Sequence, residues 1–138
     1  AAGVPVTVMA APVVPGLTDH EIPAILEAAA GAGATGAGYV MLRLPGAVSG
    51  LVEEWLEVHF PDRKDKVLNR VRELRGGRLN DPRFGSRMRG EGPFAEQVKA
   101  LFESARRRCG LDRPRPDLST AAFRRSCRSG GEQMGLFG

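Results

Sequence analysis

The chain has 138 residues, of which 42% are hydrophobic and 26% are charged, so it is long enough to bury a modest core. Its most apolar stretch, residues 4–16, is broken by Pro12 and Pro15 and is shorter than the roughly 18 residues that a membrane-spanning helix needs. No positively charged start precedes this stretch, which argues against a secretory signal. The sequence therefore predicts no membrane span and a cytoplasmic location.

The formal net charge of +4 hides an uneven distribution. Residues 1–62 hold one basic residue, Arg43, and seven acidic residues, whereas residues 63–138 hold nineteen basic and nine acidic residues, so the two parts carry −6 and +10. A basic part attracts polyanions such as nucleic acid, because each neutralised phosphate releases counterions. The alternative interpretation is that these side chains form ordinary solvated helix faces.

Cysteine and histidine residues predict no metal site. Cys109 and Cys127 lie in neither a CxxC nor a CxxxCxxC spacing, which indicates reduced thiols rather than a disulfide framework. His20 and His59 have no further ligands at a usable spacing, so surface or capping roles are expected for both.

The first predicted elements form a βαβ unit. Residues 4–14 are rich in valine and lack a polar face, which predicts a buried strand of a parallel sheet. Thr18 and Glu21 then have the spacing of a capping box that begins a helix. Residues 36–45 restore strand character, so we expect a second strand parallel to the first, with the helix as the crossover.

The pattern after Pro45 changes to helices. Residues 51–58 form an amphipathic segment whose Trp55 is expected in the core. A second helix, capped by Asp62, has one apolar face, and a third begins at Pro93 and ends near residue 110. The apolar face of the second helix consists of Val67, Leu68, Val71 and Leu74.

Residues 76–92, called the Gly/Arg loop below, are rich in glycine and arginine and have no periodicity. They are too polar for a core and long for a plain connection, so the loop is a candidate functional segment.

Three stretches carry a resemblance to a known family: MAAPVVPGLTDHEIPAILEAAAGAGA at residues 9–34, GYVMLRLP at 38–45 and GGRLNDPRFGSRMRGEGPFAE at 76–96. In this order they resemble the end of the catalytic domain and the C-terminal extension of radical S-adenosylmethionine (SAM) proteins. The group concerned is DNA-repair-photolyase-like and is related to spore photoproduct lyase. The resemblance covers essentially residues 4–110.

The resemblance implies an α/β fold in three parts. Residues 1–46 would form the final βαβ part of a partial parallel β/α barrel, residues 47–110 a helical C-terminal extension that contains the Gly/Arg loop, and residues 111–138 a largely disordered basic tail. The larger part of the barrel would be missing from this chain.

The resemblance also implies a chemistry. In this family a CxxxCxxC loop holds a [4Fe–4S] cluster that binds SAM, and reductive cleavage of SAM yields a radical that abstracts hydrogen from the substrate. This chain lacks that motif. We therefore interpret it as the C-terminal part of an enzyme with nucleic acid as the expected substrate, and we expect neither SAM nor the cluster to bind to this chain alone.

Six residues would lie beside SAM if the resemblance holds. They are Ala11, Pro12, Val13, Gly16, Met41 and Arg43. For Gly16 the alternative is that Pro15 and Gly16 only turn the chain into the next helix. For Arg43 the alternative is a salt bridge to a local acid such as Glu21 or Glu27.

The candidate nucleic-acid-binding residues of the Gly/Arg loop are Arg83, Arg87 and Arg89. Guanidinium groups bind phosphate oxygens bidentately, which suits a polyanionic partner. The alternative is that these arginines hold the loop against acidic residues of the barrel, including Glu53, Glu54 and Glu57.

The C-terminal sequence QMGLF at residues 133–137 resembles the QxxLF peptide that docks bacterial proteins on the DNA polymerase sliding clamp. Gln133 would orient the peptide, and Leu136 and Phe137 would enter an apolar pocket of the clamp. The alternative is that both apolar side chains fold back onto this protein. The motif supports a second hypothesis, a non-catalytic module that binds DNA or the sliding clamp.

A lone βαβ unit leaves strand faces and edges uncovered. We therefore expect self-association through exposed strands, and a third hypothesis is a helical fragment that is ordered only by an oligomeric partner.

Overall fold

The computed structural model describes residues 4–114 and 119–124. These residues form a mixed α/β fold, as predicted, with two parallel strands and four α-helices. The strands are β1 (Thr7–Val13) and β2 (Gly36–Met41), and the helices are α1 (Ile22–Gly31), α2 (Val48–His59), α3 (Lys64–Leu74) and α4 (Pro93–Arg108). Within the described residues, none of these helices combines the length and apolarity that a membrane crossing requires.

The two strands and α1 form the predicted βαβ unit. β1 and β2 pair in parallel, with Thr7 opposite Gly36 and Ala10 opposite Tyr39. The register then shifts before Val13, so that β1 contains one more residue than β2 over this stretch. Pro12 lies in the irregular part and lacks the N–H that a regular ladder would use.

The prediction of a fully buried first strand is wrong. β1 begins at Thr7 rather than Val4, and only Ala10 and Val13 of its residues are buried, whereas Met9 is 56% exposed. Successive side chains of a strand point to opposite faces. Helices cover one face of this sheet, so Met9 on the other face remains in solvent.

The first core lies between the inner face of the sheet, α1 and α4. Ile22 and Leu26 of α1 are fully buried there, and the rings of Tyr39 and Phe102 pack with their centroids 4.6 Å apart. Because α4 packs on the sheet, this core includes residues from both sides of the boundary predicted at residue 46.

The second core joins α2 and α3 to the segments that follow the strands. Its buried members are Leu17, Leu44, Leu56, Val67, Leu68 and Val71. The apolar face predicted for α3 is confirmed, since all four of its residues are buried, although Leu74 belongs to the first core.

The prediction that Trp55 lies in the core is wrong, because its side chain is 45% exposed. Helix α2 buries only Leu56 among its residues. The ring of Trp55 packs instead on the surface against those of His59 and Phe60, at centroid distances of 5.4 Å and 5.2 Å.

The predicted capping box at the start of α1 is also wrong. A short 3-10 turn, Asp19–Glu21, precedes α1, and no side chain caps either element. The hydroxyl of Thr18 instead accepts a 2.9 Å hydrogen bond from the backbone N–H of Val14, which closes the turn after β1.

Candidate functional site

The Gly/Arg loop packs against the carboxyl ends of the two strands. Because β1 and β2 are parallel, both carboxyl ends lie at one edge of the sheet, where the N–H of Leu42 donates to the carbonyl oxygen of Val13. The loop is bound to this edge through the N–H of Met41, which donates a 2.9 Å bond to the carbonyl oxygen of Met88. Ligands of open parallel α/β sheets bind at the carboxyl edge.

Arg75 joins the loop to the end of β2. This side chain follows α3 and is only 2% exposed. Its Nη1 donates to the carbonyl oxygens of Ser86 and Arg87, at 3.0 Å and 2.7 Å. Its Nη2 donates to those of Met41 and Leu42, at 3.4 Å and 3.1 Å. One guanidinium group therefore contacts four carbonyl groups on two segments that are far apart in sequence.

Burial lowers the pKa of Arg75, and the nearby positive charge of Arg43 adds to this effect, while the carboxylate of Asp81 opposes it. The Nε of Arg75 has no hydrogen-bond partner among the described residues. Arg75 was not predicted from the sequence, because an arginine at the end of a helix looks like a solvated residue. The one sequence feature that could have indicated its role is its position before Gly76 and Gly77, where α3 ends and the loop begins.

Asp81 is a buried carboxylate that connects several residues of the loop by hydrogen bonds. It is 5% exposed and accepts hydrogen bonds from the backbone N–H and the guanidinium of Arg83 and from the hydroxyl of Ser86. The side-chain bond from Arg83 is the largest cause that holds the pKa of Asp81 well below its usual range, followed by the backbone bond from Arg83 and the Ser86 hydroxyl. The carboxylate is therefore charged at neutral pH.

Arg83 is held within the loop. Its Nη2 lies 2.8 Å from Asp81 Oδ2 and 3.0 Å from Glu91 Oε2, and both acids raise its pKa, with Asp81 as the larger cause. The side chain is still 60% exposed. Its acidic partners in the described residues belong to the loop and are not the glutamates of α2 that the sequence suggested.

Arg87 and Arg89 contact aromatic rings. The guanidinium carbon of Arg87 lies 4.1 Å from the ring centroid of Phe84, a side chain that is 88% exposed. That of Arg89 lies 3.9 Å from the ring centroid of Tyr39. In the part of the chain that the structure describes, neither arginine forms an ion pair, so both charges are available to an anionic ligand.

Comparison of the chain with protein-family models, with curated proteins and with solved structures finds no match.

The residues predicted beside SAM divide into a buried pair, an exposed pair and a half-buried pair. The side chains of Val13 and Met41, which are paired across the strands, point into the first core. Ala11 and Pro12 are exposed on β1, beside a hollow of about 260 Å³.

Gly16 and Arg43 are both half-buried. An added side-chain carbon at Gly16 would lie 3.6 Å from the Lys66 side chain, so the close approach there is to this chain itself. Among the described residues Arg43 forms no ion pair within 4.0 Å, and the suggested bridge to Glu21 or Glu27 is therefore not found.

The residues predicted beside SAM do not themselves line a hollow of ligand size. Pockets for ligands of drug-like size occupy about 300 to 1,000 Å³, which is more than the hollow of about 260 Å³ beside Ala11 and Pro12 provides, whereas a hollow of about 720 Å³ lies elsewhere and is lined in part by Met9, Tyr39, Arg89 and Phe102. No group of three or more His, Cys, Asp or Glu side chains within residues 4–114 and 119–124 is arranged to hold a metal ion. Cys109 is a free, half-buried thiol.

The clamp-motif residues Gln133, Leu136 and Phe137, together with Cys127, lie outside the described residues.

Proposed function

We propose that this chain is the C-terminal part of a radical SAM protein of the DNA-repair-photolyase-like group that acts on nucleic acid. In this proposal the Gly/Arg loop binds the nucleic acid beside the carboxyl edge of the sheet. The observation that carries the proposal is the anchoring of the loop by Arg75 to the carbonyl groups of Met41 and Leu42. A loop anchored at that edge can present its arginines to a substrate held there.

The proposed barrel is supported by the parallel pairing of β1 and β2 across a helical connection. As the final βαβ part of a partial barrel, the sheet would continue into further strands, and the exposed face around Met9 would be covered by other parts of the protein. In this proposal the cluster and SAM are held mainly by residues outside this chain, and the described residues contain no group of three or more His, Cys, Asp or Glu side chains arranged to hold a metal ion.

The choice of nucleic acid as the substrate class is supported by the charges of the loop. Arg87 and Arg89 have no acidic partner among the described residues, and Arg83 keeps most of its guanidinium side chain in solvent. Guanidinium groups bind phosphate oxygens with two parallel hydrogen bonds. The basic half of the sequence, with its charge of +10, would add a favourable long-range field.

The loop is tested by binding a labelled single-stranded DNA to the full chain at several salt concentrations. We expect the double variant Arg87→Gln, Arg89→Gln to bind more weakly and to lower the slope of log K against log salt by about 0.7 for each phosphate that the variant no longer neutralises. The matched control is Arg107→Gln, Arg108→Gln, which removes the same charge from exposed positions at the end of α4. An equal weakening in the control would overturn the assignment of binding to the loop.

The family assignment is tested separately on the polypeptide encoded by the complete reading frame that contains this chain. A protein that carries about four irons per monomer and cleaves SAM under reduction would support the proposal. A complete protein that binds neither iron nor SAM would contradict the family assignment, whether or not the loop binds nucleic acid.

A second candidate function is docking on the sliding clamp, and the observation that favours it is the QMGLF sequence at residues 133–137. Deletion of residues 133–138 is expected to abolish binding to an immobilised clamp while single-stranded DNA binding by the full-length chain remains.

We further propose that the protein is cytoplasmic, and that the isolated chain self-associates through the exposed face and edge of β1.

A further inference from the structure

Phe84 is the most exposed large hydrophobic side chain among the described residues, with 88% of its surface in solvent. It lies in the middle of the Gly/Arg loop. A phenylalanine ring contributes most to the stability of a fold when it is buried, because a large apolar surface is then removed from water. Phe84 belongs to neither of the two cores that the described residues form.

The ring is held on a well-connected turn. The N–H of Arg87 donates to the carbonyl oxygen of Arg83 at 3.1 Å, which closes the turn around Phe84. Asp81 binds both Arg83 and Ser86, and Arg75 binds the carbonyl groups after Phe84. The loop therefore presents an exposed ring from a backbone whose polar groups are tied to buried side chains.

Arg87 adds a charge beside this ring. Its guanidinium carbon lies 4.1 Å from the ring centroid of Phe84, and the high exposure of Phe84 leaves the rest of the ring open. An exposed aromatic ring with a cation next to it matches the needs of single-stranded nucleic acid, where bases stack on aromatic faces and phosphates contact basic groups.

We propose that Phe84 stacks on an unpaired nucleobase while Arg87 contacts an adjacent phosphate. This inference rests on the proposed nucleic-acid binding and narrows its ligand to single-stranded or locally unpaired strands. In an intact duplex the base faces are covered by their neighbours, so Phe84 cannot reach them without unstacking a base.

The experiment compares the binding of a labelled oligothymidylate strand and of a matched duplex by fluorescence anisotropy, using the full chain. Phe84→Ala is expected to weaken binding of the single strand by about 5- to 150-fold. Its salt slope should stay close to that of the wild type, because the variant removes no charge. Duplex binding should change little, and Phe84→Trp should retain the affinity for the single strand.

The matched control is Phe123→Ala, since Phe123 is also an exposed phenylalanine, at 76%, and lies outside the loop. The control should bind the single strand like the wild type. Equal binding of the single strand by Phe84→Ala and the wild type, or an equal weakening for strand and duplex, would overturn the stacking proposal.

The outcomes separate this inference from the function on which it rests. If the loop arginine variants weaken binding and Phe84→Ala does not, the stacking proposal falls and the proposed function stands. If neither set has an effect, both fall. If Phe84→Ala instead changes the mass of the assembly in solution without affecting the affinity for the single strand, Phe84 is a protein contact and the stacking proposal is overturned.

Discussion

The guanidinium of Arg75 donates a 2.7 Å hydrogen bond to the carbonyl oxygen of Arg87, twelve positions further along the chain. The same group donates to the carbonyl oxygen of Leu42, thirty-three positions earlier. A single buried side chain thus joins the loop to the end of β2, in addition to the backbone bond between Met41 and Met88.

Replacement of Arg75 by methionine is expected to lower the free energy of unfolding by about 2 to 4 kcal/mol, because carbonyl groups in a buried environment lose a charged donor. Urea denaturation followed by circular dichroism measures this change. The matched control is Arg78→Met, since Arg78 is exposed, and its effect should stay within about 0.5 kcal/mol. Similar destabilisation of both variants would show that the Arg75 bonds contribute little.

Asp81 makes stability depend on pH. Hydrogen bonds from Arg83 and Ser86 lower the pKa of Asp81 in the folded protein, so folding favours the charged form. The stabilisation is complete well above the unfolded-state pKa of about 3.9 and is lost as the pH falls through this value towards the lower folded-state pKa.

Asp81→Asn is therefore expected to have a lower free energy of unfolding than the wild type at neutral pH. This difference should become smaller as the pH drops below about 4. Unfolding measured at a series of pH values checks this. Glu54→Gln, at an exposed position on α2, is the control for the loss of one carboxylate. A difference in free energy of unfolding between Asp81→Asn and the wild type that is constant at all pH values would contradict the prediction.

Position 90 requires glycine for two reasons, its backbone conformation and the close approach of Leu74. Its φ is +79°, and a side-chain carbon there would lie 3.0 Å from Leu74 Cδ2 and 3.2 Å from the Leu74 carbonyl oxygen. Gly85 has a similar φ of +95° but no heavy atom within 4 Å of that position. Gly85→Ala should cost about 1 to 2 kcal/mol from backbone strain alone.

Gly90→Ala should cost about 1 to 3 kcal/mol more than Gly85→Ala, because it adds overpacking against α3 to the same strain. The comparison uses the urea midpoints of the two variants. Equal destabilisation would mean that Leu74 moves aside without cost.

The exposed face of β1 predicts association of the isolated chain. Met9 is 56% exposed on a strand that has β2 on one side only among the described residues. We expect the chain to form dimers or larger species at micromolar concentration, measured by light scattering after gel filtration, and Met9→Lys to shift it towards monomer. Val58→Lys is the control, since Val58 is 73% exposed on α2. A wild-type chain that stays monomeric at every concentration would refute the prediction.

Local signals in the sequence were enough to predict the order and the type of the main elements. Valine-rich runs, helical spacing in residues 67–74 and the proline at the start of α4 are local signals, because strand and helix periodicity follow from backbone geometry over a few residues. The βαβ unit and the loop between α3 and α4 followed from these signals alone. The sequence also marked the arginines of the loop as candidates.

Which side chains are buried and which charges are paired could not be predicted from local signals, because both depend on contacts between distant segments. Trp55 stays on the surface because α2 packs on the second core through Leu56 and Val52, and β1 is half exposed because helices cover one of its faces. Arg75 looks like its neighbours Arg72 and Arg78 in the sequence. It becomes the anchor of the site because carbonyl groups from residues 41–42 and 86–87 converge on it. Periodicity reports local conformation, whereas the partners of a buried charge come from segments that only folding brings together.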